Sequence, residues 1–388
     1  MNMNDPAKHH VLDGIDAEAG GDVGRVILGG VENIPDGSVA DRARFLRHHA
    51  DGLRRLLIRK PYGDPSHCIN LIVPSSDPDA DAGLIIMGTM GYPDFSGSNA
   101  MCTIAALSEA ERQVFGDEER IFVLETPGGI TRMQASYRAG GLEAVAYDAL
   151  PGFVAVGEKL ADVEGWGTVR YSLVYGGTFY AIVSGADAGL DPQRTPIPEL
   201  TEFFRAFLPV AARQELHHPV HGAMPPLSLA LLAGPVERGV SDEPSASVAV
   251  YMDPGVICQG PTGTGTTALL SWLQHCGEIE YGTTIRTISP FGNAFTGTLN
   301  DAVPVGERMG VRTRISGKPR LLARCQLFIA LDDPLIMGGE VQNILNREDD
   351  RFGTASSGKS EEEISDTHVP QGPAHGADAI PRTRKIQS

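Results

Sequence analysis

No apolar run in this chain approaches membrane-spanning length, and Met1 to Gly21 lacks the apolar core of a secretory signal. Positive charge is short as well: 32 Lys and Arg stand against 49 Asp and Glu, a net of −17. That balance argues against a nucleic-acid partner and against an anionic membrane face. Cysteine is scarce, with five residues at 68, 102, 258, 276 and 325. Odd in number and scattered, they fit reduced thiols in a cytoplasmic protein better than a disulfide framework.

Nucleotide and metal signatures are also incomplete. Gly260-Pro-Thr-Gly-Thr-Gly265 has the glycine spacing of a phosphate-binding loop, but Thr266 stands where the lysine should be. Gly263, Gly265 and Ala268 satisfy a dinucleotide fingerprint without the βαβ rhythm that gives it meaning. His217, His218 and His221 are interrupted by Pro219 and read as exposed loop histidines, not metal ligands. Neither a metal nor a cofactor is expected.

What is present is enough apolar residue (41%) for two cores in 388 residues, and 46 glycines, which suit a strand-and-turn architecture. Residues 1–10 read as a disordered leader, and 346–388, polar and rich in Ser, Gly and Pro, as a disordered tail. Between them lies a body at 11–345, expected as two domains: about 11–170 with the end of the body, and 171–320. Short apolar runs at Gly24–Gly29, Asn70–Val73, Gly83–Met87, Ile121–Leu124 and Ser247–Tyr251 predict strands. Helices are predicted at Asp41–Arg59, which is amphipathic, and at Ala100–Val114 and Thr266–Cys276, which are more apolar.

The last two helices share a plan. Ser96-Gly-Ser-Asn-Ala and Thr262-Gly-Thr-Gly-Thr each place a hydroxyl residue, a glycine and small polar residues before an apolar helix. Such a loop leaves backbone amides free at a helix N-terminus, where they can hold a carboxylate. Ordinary N-capping explains either loop alone. Two of them, one per half-chain, suggest a pseudo-symmetric pair of domains with a ligand between.

From about Asp16 to Pro334 the order of segments resembles the proline racemase superfamily. Asp16-Ala-Glu-Ala-Gly-Gly-Asp-Val-Gly-Arg25 is similar to the family's opening motif, with Ala17 at its His and Gly21 at its Glu. Glu125-Thr-Pro-Gly-Gly129, Tyr175-Gly-Gly-Thr-Phe-Tyr180 and Phe295-Thr-Gly297 stand in the expected order, and Gly260-Pro-Thr-Gly-Thr-Gly-Thr-Thr-Ala268 is the most specific match. The resemblance implies an α+β, diaminopimelate-epimerase-like fold, in which two pseudo-symmetric domains each wrap a curved sheet around a central helix. It also implies a cleft between them in which two cysteines work on opposite faces of a substrate α-carbon. Here those cysteines fall on Ser96 and Thr262, the family's loop histidine on Ser98, the glycine after it on Asn99, and its aspartate on Cys258.

A hydroxyl is harder to ionise than a thiol and needs a partner base. The expected catalytic residues are Ser96 as base and Thr262 as an aid to a leaving hydroxide, with Cys258 in the substrate pocket and a surrogate thiolate at need. The amides of Gly97, Ser98, Asn99, Gly263, Thr264 and Gly265 are expected to hold the substrate carboxylate. Cys102, inside an apolar helix, reads as a buried structural thiol. The function expected is a cofactor-independent lyase or isomerase acting on a small imino acid, leaning to trans-3-hydroxy-L-proline dehydration. A racemase or 4-hydroxyproline 2-epimerase, and a catalytically silent carboxylate binder, are the alternatives, and homodimerisation is left open.

Overall fold

Apolar runs closed by Gly, Pro or Asp fold as strands, because alternate residues can be buried on a sheet face while the breakers supply the turns. The computed structural model describes residues 9–110, 117–238, 243–334, 336 and 340–345. The first half runs β1 (His9–Ala19), β2 (Asp22–Gly29), α1 (Val39–His49), α2 (Asp51–Leu57), β3 (Cys68–Val73), β4 (Ala82–Met87), α3 (Gly97–Ala110), β5 (Glu119–Thr126), β6 (Gly129–Arg138) and β7 (Gly141–Asp148). The second begins β8 (Phe153–Val163), β9 (Gly167–Tyr175), β10 (Phe179–Ser184), α4 (Gly185–Ala188), α5 (Ile197–Ala211), β11 (His217–His218) and β12 (Gly222–Ala223). It continues β13 (Leu229–Arg238), β14 (Pro244–Met252), β15 (Val256–Ile257), α6 (Gly263–His275), β16 (Thr284–Ile288), β17 (Ala294–Val305), β18 (Arg308–Gly317), β19 (Arg320–Ala330) and α7 (Val341–Leu345).

The strand pairings repeat. In one lobe the order is β19–β1–β2–β3–β4–β5–β6–β7, with β2–β3 and β4–β5 parallel and the rest antiparallel. In the other it is β8–β9–β10–β13–β14–β16–β17–β18, with β10–β13 and β14–β16 parallel and the rest antiparallel. Helix α3 falls between β4 and β5, and α6 falls between β14 and β16, the equivalent step. The two lobes are therefore the same arrangement twice, joined where β7 pairs antiparallel with β18 from Val145–Gly317 to Asp148–Arg314. With β15 on β14 this makes one 17-stranded hydrogen-bonded sheet.

Inner strands are apolar throughout because both faces are covered. On β4, Leu84 and Ile86 pack toward α3, whereas Ile85 and Met87 join the core under α1 and α2. On β10 the same alternation sends Tyr180 and Ile182 toward α6, and Phe179, Ala181 and Val183 toward α5. The fold is thus α+β, two pseudo-symmetric lobes each wrapping a sheet around a central helix, as the sequence led us to expect.

Several boundaries differ. The changeover expected near residue 170 lies between Asp148 and Phe153, because β8 pairs with β9 and buries Phe153, Ala161 and Val163 in the core of α5. The single helix expected over 41–59 is two, separated at Ala50; Ser38 opens the first with a capping box to Asp41. Both central helices start three residues before their predicted first residue, at Gly97 and Gly263. Helix α5, with Phe203, Phe204 and Phe207 wholly buried, was not foreseen. β1 begins at His9, inside the expected leader; the rest of that leader and the tail at 346–388 lie outside the described residues. Among the described residues no helix is long and apolar enough to cross a membrane.

Candidate active site

Helices α3 and α6 occupy equivalent places in the two lobes, and their N-termini meet at the seam. The buried Tyr147 side chain of β7 marks the meeting point. A Cβ built on Gly97 would lie 2.1 Å from the Tyr147 hydroxyl, and one on Gly263 would lie 2.2 Å from it. Both helices must therefore open on glycine for the two loops to face one point. Burial pushes the Tyr147 phenol up, so it remains protonated.

In the first loop the Ser96 Oγ accepts a hydrogen bond from Asn99 Nδ2 at 3.0 Å and lies 3.2 Å from Ser98 Oγ. Ser98 and Asn99 are buried, and Asn70 Nδ2 reaches the Asn99 carbonyl at 3.4 Å. The amides of Gly97, Ser98 and Asn99 precede the first helical hydrogen bond, Ala100 N–H to Ser96 O, and so belong to the open N-terminus.

The second loop is held more tightly. Thr262 has φ 56° and ψ 146°, a backbone region that favours glycine and strains a β-branched residue. What fixes it there is a set of bonds. Its Oγ1 accepts from Gly265 N–H at 2.9 Å, its carbonyl accepts from the Thr266 hydroxyl at 2.8 Å, and the Tyr180 hydroxyl sits 3.1 Å from its Oγ1 and 2.7 Å from that of Thr264. Burial raises Tyr180 to about 12, so it too is a neutral hydroxyl. The expected role of the Gly265 amide needs correction: Thr262 already takes it, which leaves Gly263 and Thr264 as the open amides of this loop.

The two thiols Cys258 and Cys102 are both held protonated. Burial, reinforced by the Asp22 charge, raises Cys258 to about 12, so a surrogate thiolate there is disfavoured at neutral pH. Burial raises Cys102 further, in keeping with a structural thiol. The histidine cluster also differs from expectation, since His218 is buried against Tyr175, with ring centroids 4.6 Å apart. Among the described residues no group of three His, Cys, Asp or Glu is placed to hold a metal ion.

Asp22 is the residue that sequence reasoning missed. Ala19 pairs with Asp22 across the β1–β2 hairpin, whose two-residue turn, Gly20-Gly21, has φ of 61° and 91°. That turn is wedged against the other lobe: a Cβ on Gly20 would lie 2.4 Å from the Phe295 ring, and one on Gly260 would lie 2.0 Å from the Gly20 carbonyl. Asp22 thereby stands at the seam, and its charge adds to the upward shifts of Cys68 and Cys102 in one lobe and of Cys258 and Tyr180 in the other. Burial raises its carboxyl to about 6; the Ser98 side chain pulls the other way, and the nearby Glu18 charge adds to the rise. Glu18 in turn accepts from Gly21 N–H at 2.9 Å and from Arg320 Nε at 2.6 Å, pinning the turn. Placing the family's Glu on Gly21 hid this residue. The sequence signal available was the two-glycine hairpin turn, which puts position 22 first on the returning strand.

Residues 14–339 match the proline racemase family. A protein of Chromohalobacter salexigens is 36% identical over 332 residues, covering 85% of this chain and 92% of its own. A 4-hydroxyproline 2-epimerase of Allorhizobium ampelinum is 30% identical over 323 residues, covering 83% of this chain and 92% of its own. Among solved structures, a hydroxyproline epimerase from Agrobacterium vitis with bound trans-4-hydroxy-L-proline superposes with a TM-score of 0.74 at 29% identity, covering 85% of this chain and 94% of that one. With the doubled lobe, the facing helix N-termini and these likenesses together, the chain belongs to the proline racemase family.

Proposed function

We propose that the chain is a cofactor-independent enzyme acting at the α-carbon of a proline-like imino acid, and that it removes water from trans-3-hydroxy-L-proline. One observation carries the choice of elimination over epimerisation. The second position is a hydroxyl committed as a helix cap and bonded to a neutral tyrosine, so it is a poor acid for the far face of a planar intermediate. Elimination needs a base on one face only. The α-proton leaves toward Ser96, the electron pair forms the C2–C3 double bond, and the 3-hydroxyl departs as hydroxide, assisted by a hydrogen bond from the Thr262–Tyr180 pair and joined by the α-proton as water. The resulting enamine tautomerises to a ring imine. The open amides of Gly97, Ser98, Asn99, Gly263 and Thr264 would hold the carboxylate.

The test is proton NMR in heavy water with proline and its 3- and 4-hydroxy isomers. A ring imine formed from the 3-hydroxy isomer alone supports the reading. The names of the relatives favour a second reading, 4-hydroxyproline 2-epimerisation, which would show Cα–H loss with inversion and no imine. Thr262→Cys restores a group of similar size with a more acidic proton, and should raise epimerisation and lower dehydration when both are followed by polarimetry and NMR. Equal epimerisation by wild type and variant would sink the role given to Thr262.

A further inference from the structure

Three hydroxyl groups stand in a row at the second loop. The Tyr180 hydroxyl lies 3.1 Å from Thr262 Oγ1 on one side and 2.7 Å from Thr264 Oγ1 on the other. The middle member is sealed in, at 1% exposure, while Thr262 and Thr264 are half-buried at the start of α6. Glycine lets the turn from β9 to β10 approach this closely. A Cβ on Gly176 would be 2.3 Å from the Thr264 carbonyl, and one on Gly177 would be 2.9 Å from Thr264 Cγ2. Tyr180 stays protonated, so the row holds three protons on three oxygens.

The number of protons and lone pairs allows the row two arrangements. If both threonines donated to Tyr180, its own proton would be buried without an acceptor, which is costly. The bonds therefore run in one direction or the other. The Thr262 oxygen already takes Gly265 N–H at 2.9 Å. When Thr264 donates to Tyr180 and Tyr180 to Thr262, both Thr262 lone pairs are filled. Thr262 can then only donate toward the cleft. When the order is reversed, Thr262 gives its proton to Tyr180 and keeps one lone pair, so it can only accept.

We infer that Tyr180 and Thr264 are positioning residues that switch Thr262 between acceptor and donor toward a ring hydroxyl of the substrate. This rests on the reading of the site as one that expels a 3-hydroxyl. An intact 3-hydroxyl has a proton to give and suits the accepting arrangement, whereas a departing hydroxide needs a donor. Rotation of three hydroxyl groups converts one arrangement into the other, and aligned donors strengthen one another. In the elimination the C2–H and C3–O bonds break, the C2–C3 double bond forms, and hydroxide leaves with the α-proton as water. The three protons of the row stay on their own oxygens.

The experiment compares wild type, Tyr180→Phe, Thr264→Val and Thr264→Ser with two substrates, trans-3-hydroxy-L-proline and its trans-3-chloro analogue. Both eliminations give the same ring imine, but chloride leaves without a hydrogen-bond donor. With the hydroxy substrate, Tyr180→Phe should lower kcat by about 100-fold with little change in KM. Thr264→Val should lower it by about fivefold or more, and Thr264→Ser should retain it. With the chloro substrate all four proteins should agree within about threefold. Equal losses with both leaving groups would show a merely structural role and overturn the switch. So would Thr264→Val working at the wild-type rate on the hydroxy substrate, or wild type expelling chloride alone. If wild type forms imine from neither, the elimination reading fails and calorimetry decides the switch separately. Wild type should then bind trans-3-hydroxy-L-proline about fivefold or more tightly than L-proline, and Tyr180→Phe and Thr264→Val should lose that preference. No preference in wild type, or one kept by both variants, overturns it.

Discussion

Glu125 offers the most direct measurement of how the first lobe is held together. The residue is 7% exposed, and its carboxylate accepts from Ser75 Oγ at 2.5 Å, Ser76 N–H at 2.6 Å, Ser76 Oγ at 2.8 Å and Val39 N–H at 3.1 Å. One side chain on β5 thus ties the loop after β3 to the first turn of α1. Burial alone would raise its pKa, but the hydrogen bonds from Ser75, Val39 and Ser76 together outweigh it and lower the group from 4.5 to about 2. The folded state therefore favours the anion, and the stabilisation is fully present above pH 4.5 and lost as pH falls toward 2. At about 1.4 kcal/mol per unit, the shift corresponds to about 3 kcal/mol at neutral pH. Glu125→Gln keeps the shape, loses the charge and turns an NH₂ toward one of the donors. Urea unfolding near pH 7 should show the variant less stable by about 3 kcal/mol, and near pH 3 by about half of that. A gap independent of pH, or one below about 1 kcal/mol near pH 7, would refute the argument that the anion is what the network holds.

Asp22 should behave in the opposite sense. Its folded pKa is raised, so its contribution is favourable when protonated and is lost as pH rises from 3.8 to about 6. Asp22→Asn should then melt above wild type at neutral pH, by about 2 kcal/mol after discounting for partial exposure, and match it near pH 3; a variant less stable than wild type at neutral pH would contradict this. Gly97→Ala should be destabilised by about 1–3 kcal/mol through its contact with the Tyr147 hydroxyl, and Tyr147→Phe in the same chain should recover part of the loss. Thermal unfolding of the two single variants and the double variant tests this, and strict additivity would show that the contact is not the cause.

The doubled loop and helix were legible in the sequence because a glycine flanked by hydroxyl residues before an apolar helix has few other uses. The strands were legible wherever Gly, Pro or Asp bounded an apolar run, as at β4. Helix α5 was missed because its aromatic residues serve one face of a sheet that composition does not reveal, and Pro209 near its end reads as a breaker. The family motifs single out Ser96 and Thr262, and both stand at the helix N-termini of the seam. They could not show that Thr262 is strained, or that its hydroxyl occupies the Gly265 amide, since both depend on how Tyr180 and Thr266 close around it. Asp22 lay one residue from the position that motif spacing suggested. Which of two adjacent residues enters a cleft is decided by hairpin register, and a one-residue shift turns a strand over.

The pairing of β19 with β1, from His9–Ala330 to Glu18–Arg320, sets the order in which a growing chain can be completed. Every strand of the second lobe lies between Phe153 and Gly317, so that lobe has all its parts soon after β18 leaves the ribosome. The first lobe is synthesised earlier yet finishes later, because the strand that covers the β1 edge is among the last made. Until then β1 presents an unpaired row of backbone donors and acceptors. A ribosome stalled before Arg320 should therefore carry a chain with one sealed half and one sticky half, the natural substrate of a chaperone that masks open sheet edges.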